Sequence, residues 1–212
     1  MTAAAYDALR HRLLLAALAH VAFDGWTRRA IEAGAADLGL EVVEARRLYP
    51  GGPADLFRAF GDWADTRMAE AVAAPAEDMR LNQRVQAAVL ARFEALAPYR
   101  EAVRRGVAFA AMPQNAALGL ACFGRTIDRI WRMAGDRSAD FSYYTKRALL
   151  AGVLGSTTLV WLDDRSQDGH ITREFLARRI ADVLRIQRAR GAIERRFARL
   201  PNPFARRARR VV

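Results

Sequence analysis

Few side chains in this 212-residue chain stand at spacings that could do chemistry. The one cysteine, Cys122, lies in an uncharged run and has no second thiol to pair with. Neither an internal disulfide nor a cysteine-based zinc site is available, and the thiol is expected to be buried and structural. His11, His20 and His170 are scattered, and no Glu-x-x-His pair sets two metal ligands on one helix face. Asp163 and Asp164 are adjacent, so on a helix they point in different directions rather than converging on one proton. Ser156, Thr157 and Thr158 have no histidine near them in sequence to act as a base. Gly51-Gly52 lacks the Lys-Ser/Thr that completes a phosphate loop. The expectation is a protein without catalytic residues, metal or cofactor of its own, one that binds rather than transforms.

The elements that would hold a binding site are all helical. Alanine, leucine and arginine dominate, and each favours helix. No segment alternates apolar and polar residues long enough for a sheet. A first helix is predicted over 3–23, with Leu9, Leu13, Ala16, Ala17, His20 and Val21 on one face. Thr27 caps a second helix to about Leu38, Gly39 breaks it, and Glu41 to Leu48 form a third. Pro53 opens a fourth helix, to about Val72. Further helices are predicted over 77–95, from Pro98 to Pro113, from there to Ala134, over 140–162, and from Thr172 onward. The result is an all-α bundle of nine to ten helices. It reads as a helix-turn-helix-like unit (1–60), a ligand-binding bundle (61–165) forming one compact domain with it, and a basic amphipathic helix and tail (166–212).

Charge is concentrated at one end. Of the formal +11, residues 165–212 contribute fourteen arginines against Asp168, Glu174, Asp182 and Glu194, while the rest is nearly neutral. Such an arm seeks polyanions. On the last helix Phe175, Leu176, Ile180, Val183 and Leu184 form an apolar stripe, with Arg178, Arg179 and Arg185 on or beside the other face. That layout predicts an interfacial helix on an anionic membrane. The helix-turn-helix-like unit is balanced: Arg28, Arg29, Arg46, Arg47 and Arg58 face Glu32, Asp37, Glu41, Glu44 and Asp55. A DNA reader clusters basic groups at the phosphates, so DNA recognition is not expected there.

Two stretches carry no charge, 106–124 and 148–162. The first has nearly the length that spans a bilayer, but Pro113, Gln114 and Asn115 at its centre would lack water there. It is read as a buried helix end, a turn and a buried helix start. It supplies lining for an apolar pocket, for which Phe93, Phe109, Met112, Phe123, Ile127, Leu149 and Val153 are the candidates. The second stretch, rich in small residues, is read as a dimer contact.

The order Trp26-Thr27, Ile31, Ala35, Gly39, Leu48-Tyr49 and Leu56 resembles TetR-type regulators. Met112-Pro113-Gln114-Asn115, Asp128, Ile130-Trp131, Ala134-Gly135-Asp136, Asp140-Phe141 and Tyr143 to Ala148 narrow the likeness. Over about Leu13 to Leu184 the chain resembles the TetR-like, lipid-binding accessory family of ubiquinone (coenzyme Q) biosynthesis, numbered nine among the coenzyme Q proteins. It departs at Tyr143, where mitochondrial members have tryptophan, and in its arginine-rich tail. The resemblance implies a TetR-like fold without operator binding and a cavity for an isoprenoid quinone intermediate. It also implies presentation of that lipid to the di-iron demethoxyubiquinone hydroxylase, a C-terminal membrane-touching helix, and a homodimer. Asp128, Ile130, Trp131, Asp140, Tyr143 and Tyr144 are the expected hydroxylase-docking surface. The alternatives are a ligand-responsive TetR-type repressor, its tail giving non-specific DNA affinity, and a lipid carrier without a hydroxylase partner. No targeting segment is read in residues 1–6, and arginine-for-lysine usage suggests a GC-rich genome. The expected location is the bacterial cytoplasm, peripheral on the inner face of the cytoplasmic membrane.

Overall fold

Helix starts and stops fall where capping chemistry demands. In the computed structural model, which describes residues 2–72, 79–135 and 141–198 (without the side chains of 141–143 and 186–198), Thr2 and Thr27 open α1 (Ala3–Asp24) and α2 (Arg28–Asp37). Each hydroxyl accepts a backbone N–H three residues on, at 3.3 Å, satisfying a donor the helix leaves unpaired. Gly39, with φ +67°, turns the chain into α3 (Val42–Leu48). Pro53 starts α4 (Pro53–Ala71), where its missing N–H costs nothing. The remaining helices are α5 (Leu81–Leu96), α6 (Arg100–Ala111), α7 (Ala116–Met133), α8 (Phe141–Asp163) and α9 (His170–Ala198). The described residues contain nine α-helices and no strand, an all-α bundle. The fifth helix starts at Leu81 rather than 77.

The first three helices close on one another through small residues. A Cβ at Gly34 of α2 would stand 2.6 Å from the Ala17 backbone nitrogen of α1, so only glycine allows this approach. Leu13, Leu14, Ala17, Leu18 and Val21 are buried against Ala30, Ile31 and Ala35. Each fully buried leucine contributes about 1.5–3 kcal/mol. Tyr49 donates its hydroxyl to the Arg10 carbonyl at 2.8 Å, and burial pushes that phenol up to about 12. Trp26 ties this unit to the body: its Nε1 donates to the Ala102 carbonyl of α6 at 3.1 Å.

In the body, α4 packs on α5 and α7, and α8 on α9. The chain bends by 97° at Met112, where Pro113 cannot continue α6. Among the described residues no single helix is long and apolar enough to cross a membrane.

The stripe of α9 is spent on the bundle. Leu176 and Ile180 are buried and Val183 and Leu184 are packed on the core, so their expected exposure to a membrane is corrected. An amphipathic pattern suits a surface helix on its own protein as well as one on a lipid surface, and here α5 and α8 cover it. Phe175 is half-buried under the Arg179 guanidinium, 5.4 Å from its ring. Arg178, Arg179 and Arg185 lie at the surface beside Glu174 and Asp182.

The α8–α9 junction is an acid-centred knot. Asp164 accepts hydrogen bonds from the N–H and hydroxyl of Ser166 (2.9 and 2.5 Å) and of Thr172 (2.9 and 2.5 Å). Against the desolvation of burial, these four bonds hold its carboxyl well below the usual range. Arg100 of α6 donates to the Asp164 carbonyl at 2.5 Å and covers the Trp161 ring at 4.8 Å.

Candidate functional site

A hollow of about 380 Å³ lies among α4, α5, α6, α7 and α8. Helical spacing builds its walls. Val103, Gly106, Val107 and Ala110 come from one face of α6, and Gly119, Cys122, Phe123 and Thr126 from one face of α7. Phe57, Phe60 and Gly61 of α4 form another wall, Phe93 and Leu96 of α5 a third, and Leu154, Gly155, Thr158 and Leu159 of α8 a fourth. Small residues keep the space open: a Cβ at Gly61 would meet nothing within 4 Å. Gly119 brings α7 close to α6, its would-be Cβ 2.7 Å from that of Ala110. Behind the lining, Phe57 meets Trp26 at 5.1 Å and Phe109 at 5.4 Å, and Phe60 stacks on Trp63 at 5.9 Å. Val107 and Leu159 line the hollow and are also exposed, so it reaches the surface between α6 and α8. Leu120 of α7, 72% exposed, and Met112 at the bend after α6 are exposed as well.

One point on this wall is charged. Arg92 of α5 lines the hollow and bonds Asp65 of α4, which is almost wholly buried. Thr126 of α7 donates its hydroxyl to both oxygens of Asp65, at 3.0 and 3.1 Å. Burial raises the Asp65 carboxyl above its usual value against the pull of Arg92 and Thr126, and lowers the Arg92 guanidinium against the pull of Asp65. Both shifts are what a desolvated ion pair undergoes. Beside it Arg125 donates to Asp62 and to the Cys122 sulfur, each at 3.3 Å. Cys122 is thus half-buried in the wall of the hollow, not deep in the core.

The residues expected to bind lipid divide between two places. Phe93 and Phe123 line the large hollow. Phe109 stands behind the lining, Met112 is exposed at the bend, and Ile127 is buried in the core. Leu149 and Val153 line a second, smaller hollow of about 150 Å³ among α5, α7, α8 and α9, with Val85, Trp131, Ile180 and Leu184. Phe57, Phe60, Leu96, Val103, Leu154 and Arg92 were not foreseen. The i, i+3, i+4, i+7 recurrence on α6 and α7 was the available signal.

The expected docking surface does not hold together as one patch. Ile130 is fully buried and Trp131 is 9% exposed, because the face of α7 that carries them turns toward α5 and α8. Tyr144 is 72% exposed. Asp128, partly exposed, is paired with Arg147 of α8. Asp140 and the Tyr143 side chain lie outside the described residues. In the helix-turn-helix-like unit, Arg46 bonds Glu32 at 3.2 Å, Arg58 bonds Asp55 at 2.8 Å and Arg29 lies 3.5 Å from Asp24. Val42 and Val43 of α3 are exposed. Among the described residues no group of three or more His, Cys, Asp or Glu is placed to hold a metal ion.

Residues 116–187 match the family model described as COQ9. The human "Ubiquinone biosynthesis protein COQ9, mitochondrial" is 34% identical over 186 residues, covering 84% of this chain and 58% of that protein. The Drosophila melanogaster protein of the same name is 34% identical over 187 residues, covering 85% and 57%. The chain therefore spans less than three-fifths of the length of these curated relatives. A solved structure, the TetR transcriptional regulator from Nitrosomonas europaea, superimposes with a TM-score of 0.69 at 22% identity, covering 82% of this chain and 97% of that one. That likeness concerns the fold alone, and it shows the bundle to be TetR-like. The family likeness read from the sequence is shown as well: residues 116–187 match the COQ9 model, and the similarity to these relatives extends over most of the chain. The expected bacterial cytoplasmic location is corrected, because these relatives carry mitochondrial names and point to the mitochondrion instead.

Proposed function

We propose that this chain serves ubiquinone biosynthesis as a non-enzymatic accessory protein that holds an isoprenoid quinone precursor in its large hollow. The role in ubiquinone biosynthesis is supported by the names of its relatives. The observation that carries the lipid reading is the hollow itself. Its 380 Å³ falls within the roughly 300–1,000 Å³ of small-molecule sites, its walls are mostly apolar, and it opens at Val107 and Leu159. An isoprenoid chain removed from water there gains by area, with no directional contact needed. Chemistry on the bound lipid is assigned to a partner, the demethoxyubiquinone hydroxylase, with Tyr144 and Asp128 as the accessible part of the docking surface.

The exposed arginines of α9 and the arginines beyond Arg188 supply attraction to anionic lipid. With the α9 stripe packed on the bundle, that attraction is electrostatic, about 1 kcal/mol per basic residue near the surface, and falls with salt. The chain pairs with a second copy through the uncharged stretch of α8. No observation on the helix-turn-helix-like unit favours the repressor reading. The test is gentle purification followed by lipid extraction and mass spectrometry. A co-purifying prenyl quinone or precursor is expected, and phospholipid alone, or nothing, would overturn the assignment.

A further inference from the structure

The large hollow carries one feature that an isoprenoid chain does not require. An apolar tail is held by any apolar wall, yet this wall contains a guanidinium. The Arg92 guanidinium carries five N–H donors at the lining, and the hydrogen bond described for it runs to Asp65. Asp65 is in turn fixed by the Thr126 hydroxyl from α7. Helices α4, α5 and α7 therefore converge on one charged point in a mostly apolar enclosure, to which Cys122 and Thr158 also contribute. A buried ion pair is weak as a stabilising device, since an apolar pair of similar volume serves packing as well or better. Set on a cavity wall, this pair also puts donors where a ligand would lie.

Resting on the reading of this hollow as a lipid site, we infer that the Arg92–Asp65–Thr126 group recognises the ligand's head, selecting amphiphiles whose neutral head presents a hydrogen-bond-accepting oxygen. The guanidinium supplies the donor, and Asp65 and Thr126 hold it in place. Neutrality of the head follows from charge balance. The Arg92 charge is answered by Asp65, and the neighbouring Arg125 by Asp62. Arg92 is the cation that lines the hollow, Asp65 already answers it, and Arg125 and Arg129 do not line it, so a carboxylate brought to this wall gives up its water without an uncompensated cation to replace it. A carbonyl or hydroxyl oxygen gives up far less water and gains the same donor. Arg92 is thus a specificity residue, while the aromatic and aliphatic walls supply affinity.

The experiment compares three probes of equal chain length on the full-length protein: a long-chain methyl ketone, the alkane and the fatty acid. Each competes with a solvatochromic dye bound in the hollow. The ketone is expected to displace the dye about tenfold better than the alkane, the scale of one hydrogen bond to a charged donor, and better than the fatty acid. In the paired variant Arg92→Met with Asp65→Leu, which leaves no charge unpartnered, the ketone's advantage over the alkane should fall toward onefold. A ketone no better than the alkane in the wild type, a fatty acid better than both, or an advantage unchanged in the paired variant would each overturn the inference. Displacement by none of the three would instead defeat the lipid-site reading on which it rests. A second measurement uses the unaltered protein, so that it stands even where the paired variant does not fold. A ketone labelled with carbon-13 at its carbonyl should show, in isotope-edited infrared spectra, a stretch lowered from its value in hexane. An unshifted stretch would show that no donor meets the head.

Discussion

The two larger hollows found among the described residues share apolar walls but are built to different ends. The larger draws on five helices, reaches the surface at Val107 and Leu159, and carries a charge on its wall that Asp65 answers. The smaller lies between α5, α7 and α8 with α9 as its cover. Asn82, Lys146 and Trp131 supply its polar groups; the buried Trp131 Nε1 has no hydrogen-bond partner among the described residues, and Lys146 stands 5.9 Å from its ring. A compensated pair beside an open hollow can meet a ligand's head without a change in charge. An indole N–H left without a partner under a packed helix is a cost of folding around a bulky ring. The comparison teaches that hollow volume alone does not identify a binding site. Both reach the surface, the smaller at the exposed Leu81, so what distinguishes the two is size and the compensated Arg92–Asp65 pair at the wall of the larger.

The largest effect that tests this distinction falls on the cover of the smaller hollow. Leu176 is fully buried where α9 meets the bundle, so Leu176→Ala should cost about 3 kcal/mol, read from urea unfolding. The ligand content of the large hollow per folded molecule should not change. A cost below about 1 kcal/mol would mean that α9 contributes little to the fold. Next, Asp164→Ala removes four hydrogen bonds at the base of α9 and should cost about 2 kcal/mol near neutral pH. Because the Asp164 carboxyl is held low in the fold, its contribution is present above the unfolded value of about 4 and disappears as pH falls below it. Thermal unfolding against pH should therefore show the wild type and Asp164→Asn converging in acid. Asp65, raised in the fold, acts with the opposite sign: its contribution is present in acid and is lost as pH rises through its raised value.

A smaller free-energy change should give the clearest functional result. A Cβ at Gly155 would stand 3.8 Å from the Phe123 ring, so Gly155→Phe puts a ring into the large hollow. Bound lipid after gentle purification should fall about tenfold, equivalent to about 1.4 kcal/mol. Stability should hold within about 1 kcal/mol, since glycine is a poor helix residue to begin with. Unchanged lipid would move the ligand elsewhere, with the smaller hollow the first alternative. The smallest effect is expected at Trp131→Phe. Apolar contact is lost while an unpaired donor is removed, so the net change should lie within about 1 kcal/mol. Trp26→Phe should cost more, because it breaks the bond to the Ala102 carbonyl, and equal costs would mean that Trp131 has a partner after all.

Much of this arrangement could be read from residue order. Thr27, Gly39 and Pro53 mark helix ends by local chemistry that acts within one turn, and the helices obey them. Phe123 was legible as lining because it lies within the uncharged stretch 106–124. Ile127 and Val153, also chosen as apolar candidates, went respectively to the core and to the smaller hollow. Residue type does not say which neighbour a helix face will meet. Trp131 with Ile130 looked like an exposed anchor among acids and turned out to be buried.

By itself the sequence determined what depends on near neighbours and on composition: an all-helical chain, its caps and breaks, the neutral body with its basic end, and the family likeness carried by 116–187. Only the tertiary structure decided how the helices rotate against one another. That rotation spent the apolar stripe of α9 on the bundle and buried Ile130 and Trp131. It also brought Asp65, Arg92 and Thr126, from three separate helices, to one point on a cavity wall. Contacts between residues distant in sequence depend on how whole helix surfaces fit, and an amphipathic pattern leaves the partner of each apolar face open.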